Sequence, residues 1–74
     1  MIAADARLIL LNWMRGSTTE EYPHIWVSEM CEEDEIDYIF RATTYAPGEK
    51  PEREARPIAV NKLTGEVNIR ITLC

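Results

Sequence analysis

The last third of the chain is patterned most regularly. Val67, Ile69, Ile71 and Leu73 alternate with Glu66, Asn68, Arg70 and Thr72. A period of two predicts a strand with one dry face and one wet face. Ile58 and Val60 give the preceding segment the same alternation. Between the two runs, Asn61-Lys-Leu-Thr-Gly-Glu66 fits a hairpin loop built on a type I turn. Gly65 would supply the left-handed residue that re-enters the ladder as a bulge. Asn61 would brace the turn through its side-chain oxygen.

The other end of the chain has a helical pattern. Met1 to Arg15 is rich in good helix formers, and Gly16 follows as a C-terminal stop. The helix starts either near Ile2 or with Asp5 as its N-cap. Ala4, Leu8 and Leu11 form one apolar stripe; Ala6, Ile9, Leu10 and Trp13 form an adjacent one, so a wide buried face is expected. Arg7, Asn12 and Arg15 lie roughly opposite. After a polar loop, Ser17 to Tyr22, Pro23 forces an extended entry. His24–Met30 then has strand character, with Ile25 and Val27 on one side and Trp26, Ser28 and Met30 on the other. Cys31–Glu35 is an acidic connection. Ile36–Tyr45 is a second strand, with Ile36, Tyr38, Phe40 and Ala42 on one face. Ala46–Glu54, with Pro47, Gly48 and Pro51, is a mobile loop.

The order helix, strand, strand, strand, strand predicts an α+β fold. One N-terminal helix would pack on a four-stranded antiparallel β-meander in two layers. Residues 1–74 form a single domain, with no internal repeat.

Composition narrows the function classes. A chain of 74 residues builds a small core and has little room for a deep enzyme cleft. Thirteen acidic and eight basic residues give a net charge of -5. Nucleic acid and anionic membranes repel such a chain, whereas a basic protein suits it. The basic residues Lys50, Arg53, Arg56, Lys62 and Arg70 are scattered among acids and form no nucleic-acid platform. Leu8-Ile-Leu-Leu11 is too short and too closely flanked by charge to span a bilayer, and no stretch resembles a signal peptide. Two cysteines, Cys31 and Cys74, are fewer than a disulfide scaffold carries, so a reducing cytoplasm is the expected address. A Cys31–Cys74 bridge remains open if the strands bearing them are neighbours.

The sharpest chemical feature is Glu29-Met-Cys-Glu-Glu-Asp-Glu-Ile-Asp37, with six carboxylates in nine residues. It lacks the ligand spacing and glycine of an EF-hand loop. It is either an electrostatic docking surface for a basic protein or a solvated turn between strands. Glu29, Glu32, Glu33, Asp34, Glu35 and Asp37 are therefore candidate partner-binding residues. Trp26 joins them as the anchor, because both faces of the first two strands carry hydrophobes and one face is left over. No catalytic, cofactor or metal residues are assigned. His24 stands near Ser28 and Cys31 in sequence, but no nucleophile elbow surrounds them, and His24, Cys31 and Cys74 lack zinc spacing.

Pro57-Ile-Ala-Val-Asn-Lys-Leu-Thr-Gly-Glu-Val67 resembles the closing hairpin of the immunity protein 35 family, where a P-hydrophobic-x-V-D-K/R-x-T-G-E-V run is typical. Asp37-Tyr-Ile-Phe40 is similar to that family's aromatic strand, and His24-Ile-Trp-Val27 sits where an earlier strand would be. The same hairpin signature also occurs in other small helix-plus-sheet domains. The resemblance implies a non-enzymatic bacterial antidote that binds a cognate toxin and blocks it. Two alternatives stand beside it: a small acidic phage or mobile-element inhibitor of a nucleic-acid-binding defence complex, and a homodimeric structural module.

Overall fold

Helix α1 runs from Ala3 to Met14 in the computed structural model, which describes residues 1–70. It begins with Ile2 as the N-cap, whose carbonyl receives the Asp5 and Ala6 N–H groups at 3.1 Å. Asp5 lies in the first turn, where a carboxylate complements the helix dipole. The chain does not stop at Gly16. It tightens into a 3₁₀ turn over Arg15–Ser17, and the Thr18 hydroxyl donates to the Arg15 carbonyl at 3.0 Å. That bond satisfies one carbonyl left over at the helix end.

Five strands form one antiparallel sheet: β1 (His24–Val27), β2 (Glu32–Glu33), β3 (Asp37–Tyr45), β4 (Arg56–Asn61) and β5 (Val67–Ile69). The order is β1-β3-β4-β5, and β2 pairs with the same edge of β3 as β1. The α+β architecture with its antiparallel sheet is as the sequence predicts. The first strand is split, however. The expected His24–Met30 strand ends at Val27, and the acidic connection holds the short β2.

Register explains the split. Val27 lies opposite Ala42, and Glu32 lies opposite Ile39. On the edge, Ser28, Glu29, Met30 and Cys31 intervene; on β3 only Phe40 and Arg41 do. The surplus leaves the ladder as a bulge. Ser28 starts it: its N–H donates to the Arg41 carbonyl at 2.8 Å, but the Arg41 N–H bonds the Ser28 hydroxyl at 3.1 Å instead of the Ser28 carbonyl. The freed carbonyl turns to the helix. Arg7 Nε donates to Ser28 O at 3.1 Å, and Arg7 Nη2 donates to Val27 O at 3.0 Å. Arg7, expected on the solvent side, thus pins α1 to the break in the edge strand.

The core lies between α1 and the facing side of the sheet. Leu10, Phe40 and Val60 are its largest fully buried side chains, joined by Ala6, Met14, Val27, Ala42 and Ile58. Ile25 and Val27 share the helix-facing side with Phe40 and Ala42, as their alternation predicts. The helix face is narrower than expected. Ala6, Leu10 and Met14 form the buried row, while Leu8 is 60% and Trp13 41% exposed. Ala4 is exposed too. Ile9 and Leu11 flank that row and pack against the core, and the remaining members of both stripes, Ala4, Leu8 and Trp13, face out. Ile36 is not on the core face of β3 either; it stands in the turn before that strand.

The β4–β5 hairpin follows the sequence closely. Asn61 Oδ1 accepts from the N–H groups of Leu63 and Thr64 at 2.8 and 3.0 Å. Gly65 has φ +75° and donates its N–H to Asn61 O at 2.9 Å. A Cβ at Gly65 would also sit 3.3 Å from Ile9 Cδ1. Ile71, Thr72, Leu73 and Cys74 lie outside the described residues, and with them the end of the expected last strand and the Cys31–Cys74 pairing. The Ala46–Glu54 loop contains a turn in which Glu49 N–H donates to Ala46 O, followed by a 3₁₀ turn over Pro51–Arg53.

Gly65→Ala should destabilise the fold by about 1 kcal/mol or more, through the positive φ and the tight contact; an unchanged urea midpoint would contradict this. Arg7→Ala should cost about 1–3 kcal/mol, because two carbonyls lose a charged donor. Arg7→Lys should recover only part of that, since an ammonium has no fork to hold both oxygens. Equal urea midpoints for Arg7→Ala and the parent chain would show that the pin contributes nothing.

Candidate functional site

The six carboxylates of the acidic segment fall into two groups. Asp34 closes the β2–β3 turn. Its Oδ1 accepts from the N–H groups of Ile36 and Asp37 at 2.8 and 2.7 Å, and its own N–H donates to Asp37 O at 3.0 Å. Such a side-chain turn is a standard use of aspartate. Arg70, just past β5, reaches back across the sheet. Its Nη2 meets Asp34 Oδ2 at 2.9 Å and Asp37 Oδ2 at 2.6 Å. Arg70 stands beside Pro57, and Asp37 lies opposite Asn61, so the side chain runs diagonally over β4. Glu33 is paired as well: Lys62 Nζ lies 2.8 Å from Glu33 Oε2 and 5.0 Å from the centre of the Tyr38 ring.

Glu29, Glu32 and Glu35 are exposed and make no ion pair among the described residues. They carry the uncompensated negative charge of the segment. Hydrogen bonds set the directions of the shifted groups. The backbone N–H of Asp37, then that of Ile36, then Arg70 hold the Asp34 carboxyl below its ordinary value of 3.8. The Glu33 carboxylate pushes the Lys62 ammonium up. Asp37 and Asp34 do the same for Arg70.

Two turns meet at this end of the sheet. The Lys62 N–H donates to Ile36 O at 2.9 Å, tying the β4–β5 turn to the β2–β3 turn. Each turn presents an apolar side chain outward: Ile36 is 63% exposed and Leu63 95%. Glu33, Asp34 and Glu35 precede Ile36 directly. Two exposed apolar side chains thus stand on hydrogen-bonded turns, beside the ion-paired Glu33 and Asp34 and the unpaired Glu35.

Trp26 does not belong to this end. It lies opposite Thr43, on the sheet face away from α1, and is half-buried. Thr43 is six residues along β3 from Asp37, or about 20 Å at the rise of an extended strand. The structure therefore brings Glu33, Asp34, Glu35 and Asp37 together and leaves Trp26 apart. Glu29 and Glu32 lie between, on and just after the bulge.

The bulge roofs a shallow concavity of about 600 Å³ on the outer sheet face, lined by residues including Met30, Cys31, Glu32, Ile39, Arg41 and Pro57. Arg41 donates to Ala55 O at 2.9 Å. The Ser28 hydroxyl is held between Met30 O and the Arg41 N–H, while the His24 ring lies tilted by 39° against Tyr45 at the far end of β1, ring centres 5.2 Å apart. Among the described residues no group of three acidic, His or Cys side chains is placed to hold a metal ion. Nor is any helix among them long and apolar enough to cross a membrane. No family model, no curated protein and no solved structure matches the chain.

Sequence reasoning missed Ile36 and Leu63 as surface features. Leu63 carried a signal: an apolar residue at the centre of a polar turn has no core to face. Ile36 did not, because it continues the alternation of Tyr38 and Phe40 by one more step.

The pH response follows from Asp34. A carboxyl with a depressed folded value adds stability that is complete above its unfolded value and disappears as pH falls through the folded one. The chain should therefore lose stability below about pH 4. Asp34→Asn should flatten that acid limb, because the amide still accepts the two N–H bonds but carries no charge for Arg70. Parallel stability curves for the two proteins from neutral to acid pH would refute this role.

Proposed function

We propose that this chain is a non-enzymatic protein-binding inhibitor of the immunity type, which neutralises a basic bacterial toxin by docking its turn end on it. The exposed pair Ile36 and Leu63 amid Glu33, Asp34 and Glu35 is the observation that carries this reading. An apolar centre within a charged rim is the usual anatomy of a binding patch. The unpaired carboxylates Glu29, Glu32 and Glu35 would speed the encounter with a basic surface and select against acidic ones. The likeness of Pro57–Val67 to the immunity protein 35 hairpin supports the same class. Trp26, on another part of the sheet, is not the anchor in this reading; Ile36 and Leu63 replace it.

Co-expression with a toxic protein encoded beside this chain tests the proposal. The parent chain should restore growth. Ile36→Asp combined with Leu63→Asp should abolish protection while circular dichroism stays unchanged, both sites being solvent-exposed. Charge neutralisation at Glu32 and Glu35 should slow association and weaken its salt dependence. Toxicity undiminished by the parent chain would reject the antidote role, and full protection by the double variant would reject the docking surface.

A further inference from the structure

The turn that carries Ile36 has little ladder of its own. β2 adds only Glu32 and Glu33 to the sheet, opposite Ile39 and Tyr38. A hairpin that short is marginal by itself. Inside the turn, Asp34 N–H donates to Asp37 O, and Asp34 Oδ1 takes the N–H groups of Ile36 and Asp37. This fold of the turn brings two more carboxylate oxygens together. Asp34 Oδ2 and Asp37 Oδ2 lie 2.9 and 2.6 Å from the same atom, Arg70 Nη2. Without a cation between them, like charges held this close repel and drive the turn open. The cation comes from outside the hairpin it closes: Arg70 follows β5, and β4 lies between it and β3.

We infer that Arg70 is a positioning residue for the docking turn, given the reading of Ile36 as a docking side chain. Its Nη2 has one hydrogen for each carboxylate, clamps Asp34 to Asp37, and so fixes where Ile36 is presented. Holding Ile36 in place before the encounter removes an ordering cost from binding. Lys62 does not duplicate the clamp, because its ammonium pairs with Glu33, ahead of the turn. The sign of the effect separates positioning from steering. Loss of the Arg70 charge leaves the turn end more negative, which by steering alone would speed the encounter with a basic partner. Loss of the clamp acts the other way. A single nitrogen serves both carboxylates, so a lysine ammonium can replace it, unlike at Arg7, where two nitrogens serve two oxygens.

Amide hydrogen exchange of the full chain, followed by NMR, tests the clamp without any partner. In Arg70→Gln the amides of Ile36 and Asp37 should exchange about tenfold faster than in the parent, while those of the buried Phe40 and Val60 keep their parent rates. Arg70→Lys should stay near the parent. Asp37→Asn added to Arg70→Gln removes the repulsion and should bring both turn amides back toward the parent rates. Unchanged exchange at Ile36 and Asp37 in Arg70→Gln overturns the inference. So does a rise shared equally by Phe40 and Val60, which marks general destabilisation, or a double variant as fast as Arg70→Gln alone. In the co-expression assay Arg70→Gln should protect less well than the parent despite its extra negative charge. Faster exchange with undiminished protection would leave the clamp standing and overturn the docking role of Ile36 instead.

Discussion

Much of this structure depends on one exchange of hydrogen-bond partners at Ser28. The Ser28 hydroxyl takes the Arg41 N–H that a carbonyl would ordinarily receive, and the displaced carbonyl goes to Arg7. A buried or half-buried carbonyl without a donor is costly. Arg7 removes that cost and fastens helix to sheet in the same step. The guanidinium suits the task because its fork reaches the Val27 and Ser28 oxygens together. The bulge, the split of the edge strand and the placement of Glu32 and Glu33 back on the ladder all follow from this one substitution of acceptor.

Charge at the acidic turn divides by geometry. Asp34 accepts from two backbone N–H groups and from Arg70, and Asp37 accepts from Arg70, so both shape the turn. Glu33 is tied to Lys62. Glu29, Glu32 and Glu35 remain as the field that an approaching molecule meets. A cluster that looks uniform in one dimension is thus part scaffold and part surface. Exposed pairs of this kind contribute little stability singly. Here they fix the two turns relative to each other, which is a matter of position more than of energy.

The hairpin from Arg56 to Ile69 was legible because each of its cues is local. Alternation, a turn-bracing Asn61 and a left-handed Gly65 all act within a few residues. The helix was legible in extent but not in orientation. Its two apolar stripes are equally good on the sequence, and only the packed structure selects Ala6, Leu10 and Met14 for burial and leaves Leu8 and Trp13 out. The break after Val27 was hidden for a related reason. Trp26, Ser28 and Met30 continue a period of two, so nothing in the pattern marks the two residues by which the edge outruns β3. Arg7 looked like a solvent residue because its partner carbonyls exist only once that break has formed. The acidic segment was legible as charge, but the division of its carboxylates depended on Lys62 and Arg70, which arrive from far along the chain.

The interrupted edge also bears on how sheets of this chain can grow. A sheet with two regular open edges can add copies on both sides without limit, the route to fibres. At β1 and β2 the bulge sets Ser28 to Cys31 out of line, so this edge presents no long straight template. The irregular side acts as a terminator, so the flank that carries β1 and β2 does not recruit further strands.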